Sequence, residues 1–297
     1  MTTLLVTGGA GFIGSHVAEA LIAKGYHVRV LDNFVSGNRA WVPPQAELIE
    51  GDVGDLETCR RAAAGCAGIF HMAAVSRVLP GFETIQAYTQ SNIVGTQNIL
   101  IAAHDHKVRK VIYSGSSSAY GDQPFPHLED ITPPKPVSFY GLSKLVGEDY
   151  CRMFDSAYNV PSVVLRYFNV YGPRQPQTGT YALVIGIFLK RQKAGEVLLI
   201  NGDGSQRRDF VHVRDVVRAQ IMAFESDVRA ATFNVGSGTN MSVKELASLI
   251  SPHHEHRAPR QGDPQETLAD ITRIQTALGW QPQIAFKDGL AELMCAS

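Results

Sequence analysis

Short apolar runs alternate with longer amphipathic segments over about the first 115 residues. The runs TLLVTG, HVRVLD, AELIEGD, GIFHMAA and KVIYSG show no regular alternation of apolar and polar residues. Continuous apolar runs of this length are typical of strands buried on both faces of a parallel sheet. Segments with helical periodicity lie between them, at 11–24, 56–64 and 84–104. The alternation predicts an α/β fold with a doubly wound parallel sheet.

The second half of the chain has a less regular pattern. After SVVLRYFNVYGPRQ, proline, glycine and arginine become more frequent and the periodicity weakens. We expect a sheet domain at residues 1–165 and a smaller region at 166–297, with a strand near 231–236 as a candidate to return to the main sheet. Ligands of open α/β sheets bind at the carboxyl ends of the strands, so the smaller region is expected to cap that edge.

The charge balance is nearly even. The chain has 27 Lys and Arg against 28 Asp and Glu, for a net charge of −1, so no overall field favours nucleic acid or an anionic membrane. The start, MTTLLVTGGAGFIG, lacks the basic segment of a secretory signal, and the apolar stretch YALVIGIFL is too short to span a bilayer. We expect neither a nucleic-acid partner nor a membrane association.

Cysteine and histidine usage indicates the compartment and argues against a metal. The four cysteines are scattered without a CxxC pair, which fits reduced thiols in a cytoplasmic protein better than disulfides or a zinc site. The segment PHHEHR places His253, His254 and His256 together, but no second group of ligands completes a metal site. A polar surface turn is the expected structure there, and no metal is predicted.

A glycine-rich turn follows the first predicted strand. TGGAGFIG places Gly8, Gly11 and Gly14 where a strand gives way to a helix, so backbone N–H groups can approach a pyrophosphate. The second strand ends in Asp32, whose carboxylate would bond the adenosine ribose and repel a 2′-phosphate. The pattern predicts a Rossmann-like site for NAD. Arg39 follows shortly after and could pair with a 2′-phosphate, so NADP stays open as an alternative.

The segment SFYGLSKLVGE carries a tyrosine and a lysine four residues apart. Ser138 is a good N-cap for a helix at 138–158, and Tyr140 and Lys144 then share one face. Leu142, Leu145, Val146 and Met153 form an apolar stripe on this helix. An ammonium beside the phenol lowers its pKa, which would make Tyr140 a base near neutral pH. An exposed Tyr/Lys pair without function is the alternative.

Serines at the end of the fifth predicted strand support the functional interpretation. VIYSGSSSAYG places Ser114 and Ser116–Ser118 at the sheet edge that would also carry the cofactor and Tyr140. One of these hydroxyls can hold a substrate hydroxyl and share its proton with Tyr140. The others can cap the strand end by bonding to the backbone.

Together these motifs resemble a known family. TGGAGFIGSH, LDN, GDV, HMAA, SSSAYGD, YGLSK, LRYFNVYGPRQ, NGDGSQRRDFVHVRDV, NVGSG and RQGD occur in this order over nearly the whole chain. The set is similar to that of the extended short-chain dehydrogenase/reductases, and within them to NAD-dependent nucleotide-sugar epimerases of the UDP-galactose (UDP-glucose) 4-epimerase type. The resemblance implies NAD as cofactor and a nucleotide-sugar as substrate.

The resemblance also implies roles for individual residues. The expected catalytic residues are Ser116, Tyr140 and Lys144. The expected cofactor-binding residues are Gly8, Gly11, Phe12, Ile13, Gly14, Asp32, Asn33, Asp52, Val53, Ala73, Ala74, Asn92, Ser114, Tyr140, Lys144 and Phe168. The expected substrate-binding residues are Ser116, Ser117, Tyr140, Asn169, Arg208, Arg260 and Asp263. Thr267 matches a position that controls access of bulky sugar substituents. Alternatively to binding phosphate, Arg208 could form an ion pair with Asp209 or Asp215.

The reaction that the resemblance implies is 4-epimerisation of a UDP-hexose, UDP-N-acetylhexosamine or UDP-uronate by transient oxidation at carbon 4. A 4,6-dehydratase of this family has Asp-Glu where this chain has Ser117 and Ser118, and serine suits neither proton transfer. A nucleotide-sugar decarboxylase and a simple dehydrogenase or reductase stay open. A non-catalytic NAD-sensing regulator is disfavoured, because all three reacting groups are present.

The helices at 84–104 and 138–158 have the length to pair with a second copy of the chain. Members of the resembled family dimerise through these two helices as a four-helix bundle. We therefore expect a homodimer.

Overall fold

A seven-stranded parallel sheet forms the centre of the protein. The computed structural model describes residues 1–76, 82–177, 183–259 and 264–296. The strands are β1 (Thr3–Thr7), β2 (His27–Asp32), β3 (Glu47–Glu50), β4 (Gly68–His71), β5 (Lys110–Ser116), β6 (Ser162–Tyr167) and β11 (Ala231–Val235). Their order is β11-β6-β5-β4-β1-β2-β3, and every neighbouring pair is parallel.

Helices cover both faces of this sheet. They are α1 (Phe12–Ala23) and α7 (Val213–Glu225) on one face, and α2 (Leu56–Ala63), α4 (Gly95–Asp105) and α5 (Phe139–Tyr158) on the other. In β1, Leu4 packs into the core with α1 and α7, whereas Leu5 packs with the opposite helices, and both are fully buried. Burial on both faces explains the continuous apolar runs and confirms the predicted doubly wound sheet.

Between β4 and β5, the described residues 82–105 are helical but not uniform. α3 (Phe82–Ala87) leads into a π-helical segment, Tyr88–Val94, and this continues into α4. One regular helix was expected at 84–104. π-Helical turns are rare and occur mostly at functional sites, because the extra residue per turn redirects side chains. Asn92, a predicted cofactor residue, lies in this segment and is 1% exposed.

The C-terminal part contributes both to the main sheet and to a separate layer. Its own elements are β7 (Asn169–Tyr171), α6 (Val184–Lys193), β8 (Leu198–Asn201), β9 (Arg207–Arg208), β10 (Phe210–His212), β12 (Met241–Ser242), α8 (Val243–Ile250), β13 (His254–Arg257), α9 (Thr272–Leu278) and α10 (Phe286–Ala296). The strands pair as β7 with β10, β9 with β12 and β8 with β13. A core that includes Phe188, Leu246 and Leu290 holds the layer together. After residue 166 the chain returns to the main sheet twice, since α7 packs on one face and β11 forms an edge strand. The boundary at 165/166 stays a prediction.

Helix α5 presents its faces differently from the simplest expectation. Ser138 caps it, since its hydroxyl accepts the N–H of Gly141 at 3.0 Å. The apolar stripe does not face the core, because Leu142 and Met153 are 46% and 53% exposed. The inward face carries Lys144, Glu148 and small residues, and a Cβ on Gly147 would lie 2.1 Å from the Tyr113 hydroxyl, so the helix packs closely on the sheet. In the described parts of the chain, no helix combines the length and apolarity needed to cross a bilayer.

Candidate active site

The glycine-rich turn joins β1 to α1 with almost no spare room. Gly8 has φ of +68°, and a Cβ there would lie 2.8 Å from the N of Ala73. A Cβ on Gly14 would lie 2.1 Å from the carbonyl oxygen of Gly8. α1 begins after Gly11, which offers no side-chain acceptor to the N–H groups of Phe12 and the residue that follows. These N–H groups fit a pyrophosphate, because a helix N-terminus attracts anions.

Asp32 ends β2 beside this turn and is 7% exposed. Its Oδ2 accepts the N–H of Ala10 at 2.9 Å, and its Oδ1 accepts the N–H of Phe34 at 2.8 Å. Each carboxylate oxygen keeps acceptor capacity for a ribose hydroxyl. Arg39 pairs with Glu50 and stacks 4.2 Å over the Phe34 ring. Its charge is thus engaged by Glu50, which favours NAD over a cofactor with a 2′-phosphate.

The predicted adenosine-side residues meet beyond the ends of β2 and β3. Asn33 donates its Nδ2–H to Asp52 Oδ2 at 2.7 Å, and Asp52 Oδ1 accepts the N–H of Gly54 at 2.7 Å. Val53 is 5% exposed, and its carbonyl accepts the Nδ2–H of Asn98 at 2.9 Å. The three predicted residues therefore form one hydrogen-bonded surface next to Asp32.

A buried polar chain crosses the sheet below the cofactor edge. The Thr7 hydroxyl accepts the N–H of Ala73 at 3.1 Å and lies 2.7 Å from His71 Nδ1. His71 Nε2 lies 3.1 Å from the Thr96 hydroxyl, which donates to the carbonyl of Asn92 at 2.6 Å. Burial lowers the pKa of His71 to about 3, so the ring is neutral. Sequence analysis missed Thr7, His71 and Thr96, although polar residues inside apolar strands were the available signal.

Asn92 links the loop after β4 to α5. Its Oδ1 accepts the N–H of Val75 at 2.8 Å, and its Nδ2 donates to the Val75 carbonyl at 2.9 Å and to Ser143 Oγ at 2.9 Å. Ser143 in turn donates to the carbonyl of Tyr140 at 2.8 Å. The π-helical segment thereby holds both the strand end that carries Ala73 and Ala74 and the helix turn that carries Tyr140.

Tyr140 and Ser116 come together at the carboxyl end of β5. Burial raises the pKa of Tyr140, and a side-chain hydrogen bond with Ser116 acts in the opposite direction. The Tyr88 ring, with its centroid 6.2 Å from that of Tyr140, adds to the rise. We expected the pKa of this phenol to be lowered. With only the protein's own groups around it the pKa is raised, because desolvation is the largest effect.

Lys144 lies one turn along α5 and is 4% exposed. Its Nζ sits 5.0 Å from the centroid of the Tyr113 ring, whose hydroxyl donates to the Lys144 carbonyl at 3.2 Å. Burial lowers the pKa of Lys144 to about 8, and the carboxylate of Glu148 opposes this shift. Lys144 therefore holds a proton at neutral pH, although less firmly than an exposed lysine.

A buried ion pair lies below Lys144. Arg166 Nη2 lies 2.7 Å from Glu148 Oε2, and both side chains are about 95% buried. The Arg166 guanidinium also lies 4.6 Å from the centroid of the Tyr120 ring. Sequence analysis did not identify this pair, because Glu148 and Arg166 lie on different elements.

The serines after β5 have separate partners. The Ser114 hydroxyl lies 3.2 Å from the Tyr167 hydroxyl, whereas Ser116 Oγ accepts the N–H of Ser118 at 3.2 Å. Ser116 thus caps the short turn Ser117–Ala119 while it bonds Tyr140. Ser116 thus combines the expected capping of the strand end with a contact to Tyr140, the residue predicted to be the base.

The predicted substrate residues are partly assembled. Asn169 Nδ2 donates to the Asp209 carbonyl at 3.1 Å and to Thr267 Oγ1 at 3.2 Å. Arg208 lies on β9, is 8% exposed and donates to the Arg207 carbonyl at 2.8 Å. Asn169, Arg208 and Thr267 therefore surround one region beyond the carboxyl end of β6, where Phe168 also lies buried. Arg260 and Asp263 lie outside the described residues.

The fold and this site together define an NAD-dependent enzyme with a Ser-Tyr-Lys arrangement. The model of the NAD dependent epimerase/dehydratase family matches residues 4–236. The chain belongs to this family, and its cofactor is NAD.

Individual relatives agree over the full length. A UDP-glucose 4-epimerase of Mycolicibacterium smegmatis is 37% identical, over 97% of this chain and 96% of the relative. The UDP-glucose 4-epimerase of Thermotoga maritima, solved with UDP-glucose, has a TM-score of 0.94 at 36% identity and covers 99% of this chain and 97% of its own. The Thermus thermophilus UDP-glucose 4-epimerase in complex with NAD has a TM-score of 0.90 at 32% identity, with coverage of 99% and 98%.

Proposed function

We propose that the protein is a nucleotide-sugar 4-epimerase that acts on a UDP-hexose, UDP-N-acetylhexosamine or UDP-uronate. The observation that carries this proposal is the hydrogen bond between Ser116 and Tyr140 at the carboxyl end of β5, with the buried Lys144 one turn along α5. Relatives with the same architecture and full-length similarity are UDP-glucose 4-epimerases, which supports the choice of reaction.

Tyr140 acts as the base for the sugar 4-hydroxyl in this proposal. Ser116 donates a hydrogen bond beside the phenolate and holds the substrate hydroxyl in line with it. The Lys144 ammonium favours the phenolate, since a nearby positive charge stabilises the anion. When bound, NAD would supply reversible hydride acceptance, so that no net oxidation occurs, and a positive charge in addition to that of Lys144. In the second half of the reaction Tyr140 returns the proton to the inverted carbon's oxygen.

The nucleotide diphosphate stays anchored while the sugar turns. Arg208 suits phosphate oxygens, because a guanidinium forms forked, charge-assisted hydrogen bonds. Asn169 bonds the carbonyl of Asp209, the residue after Arg208. The resemblance adds Arg260 and Asp263 to the same role. Anchoring at the diphosphate leaves the glycosyl ring free to present either face to the site.

The alternatives within the family differ in their products. Ser117 and Ser118 replace the acid pair that a 4,6-dehydratase uses, which disfavours water loss. A decarboxylase would release CO2, and a dehydrogenase or reductase would change the amount of NADH. A non-catalytic NAD-sensing regulator would give no product.

Turnover of UDP-glucose and UDP-galactose, followed by NMR in both directions, tests the function. Tyr140→Phe is expected to lower kcat by about 100-fold or more while bound NAD stays at the wild-type level. Tyr158→Phe is the matched control, since Tyr158 ends the same helix and is 57% exposed. The proposal would be contradicted by a product other than the 4-epimer, or by a Tyr140→Phe variant that turns over as fast as the control.

The exposed apolar face of α5 supports a homodimer, and the scattered cysteines without a CxxC pair support a place in the cytoplasm. Phe139, Leu142 and Met153 are 56%, 46% and 53% exposed on this helix. Apolar side chains this exposed along one helix are typical of an interface, here a four-helix bundle with the helix that includes α4. Sedimentation should give a dimer for the wild type and a monomer for Leu142→Glu/Met153→Glu. A wild-type monomer at micromolar concentration would rule this interface out.

A further inference from the structure

Asp209 lies between β9 and β10 with no exposed surface. Its Oδ1 accepts the N–H of Ser237 at 2.6 Å and the Ser237 hydroxyl at 2.8 Å. Its Oδ2 accepts the N–H of Ala269 at 3.0 Å and that of Gly238 at 3.3 Å. One carboxylate therefore joins two segments that are far apart in sequence, the turn after β11 and the segment before α9.

The backbone of Asp209 joins one further segment, at Asn169, and contacts the segment before α9 a second time. Its carbonyl accepts both the N–H and the Nδ2–H of Asn169, at 2.9 and 3.1 Å. Its N–H donates to Thr267 Oγ1 at 3.3 Å. A Cβ on Gly236 would lie 2.6 Å from Asp209 Oδ2, so the chain there is built around the carboxylate.

We infer that Asp209 is the positioning residue of the nucleotide-sugar site, where it sets the placement of Asn169, Arg208 and Thr267. This inference rests on the proposed function, which assigns the substrate's diphosphate to Arg208 and Asn169. The resemblance places Thr267 where bulky sugar substituents enter. Asp209 itself is enclosed by protein groups and acts through its neighbours. Its own role is to fix three chain segments in one arrangement: the start of β7, the turn after β11 and the segment before α9.

The chemistry of the site explains why a carboxylate is needed. Burial raises the pKa of Asp209 to about 6, and the four donors oppose this shift. A carboxylate can accept four such bonds, whereas an amide has one acceptor oxygen and would turn its NH2 toward an N–H. Asp209→Asn therefore keeps the shape but places a donor against a donor. A purely packing role would not require the charge.

The test compares two buried aspartates. Asp215 is 1% exposed and accepts the N–H groups of Gln283 and Ile284 at 3.0 and 3.1 Å, so it is a similar clamp near α10. Asp209→Asn is expected to raise the KM for UDP-galactose and the Kd for UDP by about 10- to 100-fold, with kcat within threefold. Asp215→Asn is expected to lower the melting temperature but to leave both constants within threefold of wild type.

The outcomes separate this inference from the function. If Asp209→Asn binds UDP as the wild type does, the inference is wrong and the function stands. If the wild type isomerises no sugar but binds UDP, the proposed function fails. The Kd of the same variants for UDP, measured by calorimetry, then still tests whether Asp209 positions the site. If the wild type binds none of UDP, dTDP, GDP and CDP, both proposals fail. Should Asp209→Asn not fold, Ser237→Ala removes one donor and is expected to weaken UDP binding by about threefold or more.

Discussion

The Lys144 ammonium lies 5.0 Å from the centre of the Tyr113 ring, on the buried face of α5. The ring face favours a cation, and Glu148 one turn further on adds a negative charge. Desolvation nevertheless prevails and lowers the pKa of Lys144 to about 8. The charge that we propose to support a Tyr140 phenolate is therefore lost as the pH rises through about 8.

Epimerisation is expected to slow as the pH rises through about 8, because the protonated lysine is the working form. The measurement is kcat/KM from pH 6 to 10 at constant ionic strength, with circular dichroism to exclude unfolding. Lys144→Arg keeps its charge throughout and should not show this alkaline decline. A wild-type profile that stays flat to pH 10 would show that Lys144 keeps its proton.

Arg166 should stabilise the fold by compensating the buried Glu148 carboxylate. Arg166→Met leaves that carboxylate without a partner, at an expected cost of about 3–5 kcal/mol in the free energy of unfolding. In Glu148→Gln/Arg166→Met both charges are absent, so most of the lost stability should return. Urea unfolding of the two single variants and the double variant measures the coupling. Additive losses would show that the pair is not coupled.

His71 should make the fold sensitive to mild acid. Its pKa is about 3 in the folded protein, against an ordinary histidine pKa of 6.5, so the unfolded chain binds the proton more readily. The stability from neutral His71 is complete above pH 6.5 and is lost as the pH falls toward 3. Between pH 7 and 5 the loss is about 2 kcal/mol. Urea unfolding at both pH values should give a smaller loss for His71→Gln; an equal loss would assign the sensitivity to other groups.

Gly14→Ala should harm the cofactor turn more than Gly11→Ala. The new Cβ would lie 2.1 Å from the Gly8 carbonyl oxygen at position 14, but 3.1 Å from it at position 11. We expect a loss of about 1–3 kcal/mol in stability for Gly14→Ala, since a backbone oxygen cannot move aside cheaply. Thermal melts and the NAD released on denaturation report the two effects. Similar values for both variants would mean that the turn adapts.

Features that depend on local sequence were predicted well. The apolar runs located the strands, and Ser138 marked the residue before α5, because both signals lie within a few residues of the element they define. The segment around Asn92 was expected to be an ordinary helix. Its π-helical geometry depends on bonds to Val75 and Ser143, which are distant in sequence.

The environment of the predicted base could not be foreseen in the same way. Tyr140 and Lys144 were identified by their spacing, but the pKa of Tyr140 is governed by desolvation, which depends on how the whole edge packs. The carboxylate that opposes the shift of Lys144 belongs to a pair between α5 and β6. Pairs of this kind have no spacing signature, so a single sequence leaves them unmarked.

β11 has a consequence for how the protein is made. The outer neighbour of β6 is β11, which begins at Ala231, 64 residues after β6 ends at Tyr167. A chain emerging from the ribosome therefore shows an unpaired strand until the later strand is synthesised, and such edges invite pairing with other chains. A fragment that ends near residue 165 would keep that edge strand unpaired, so we expect it to aggregate.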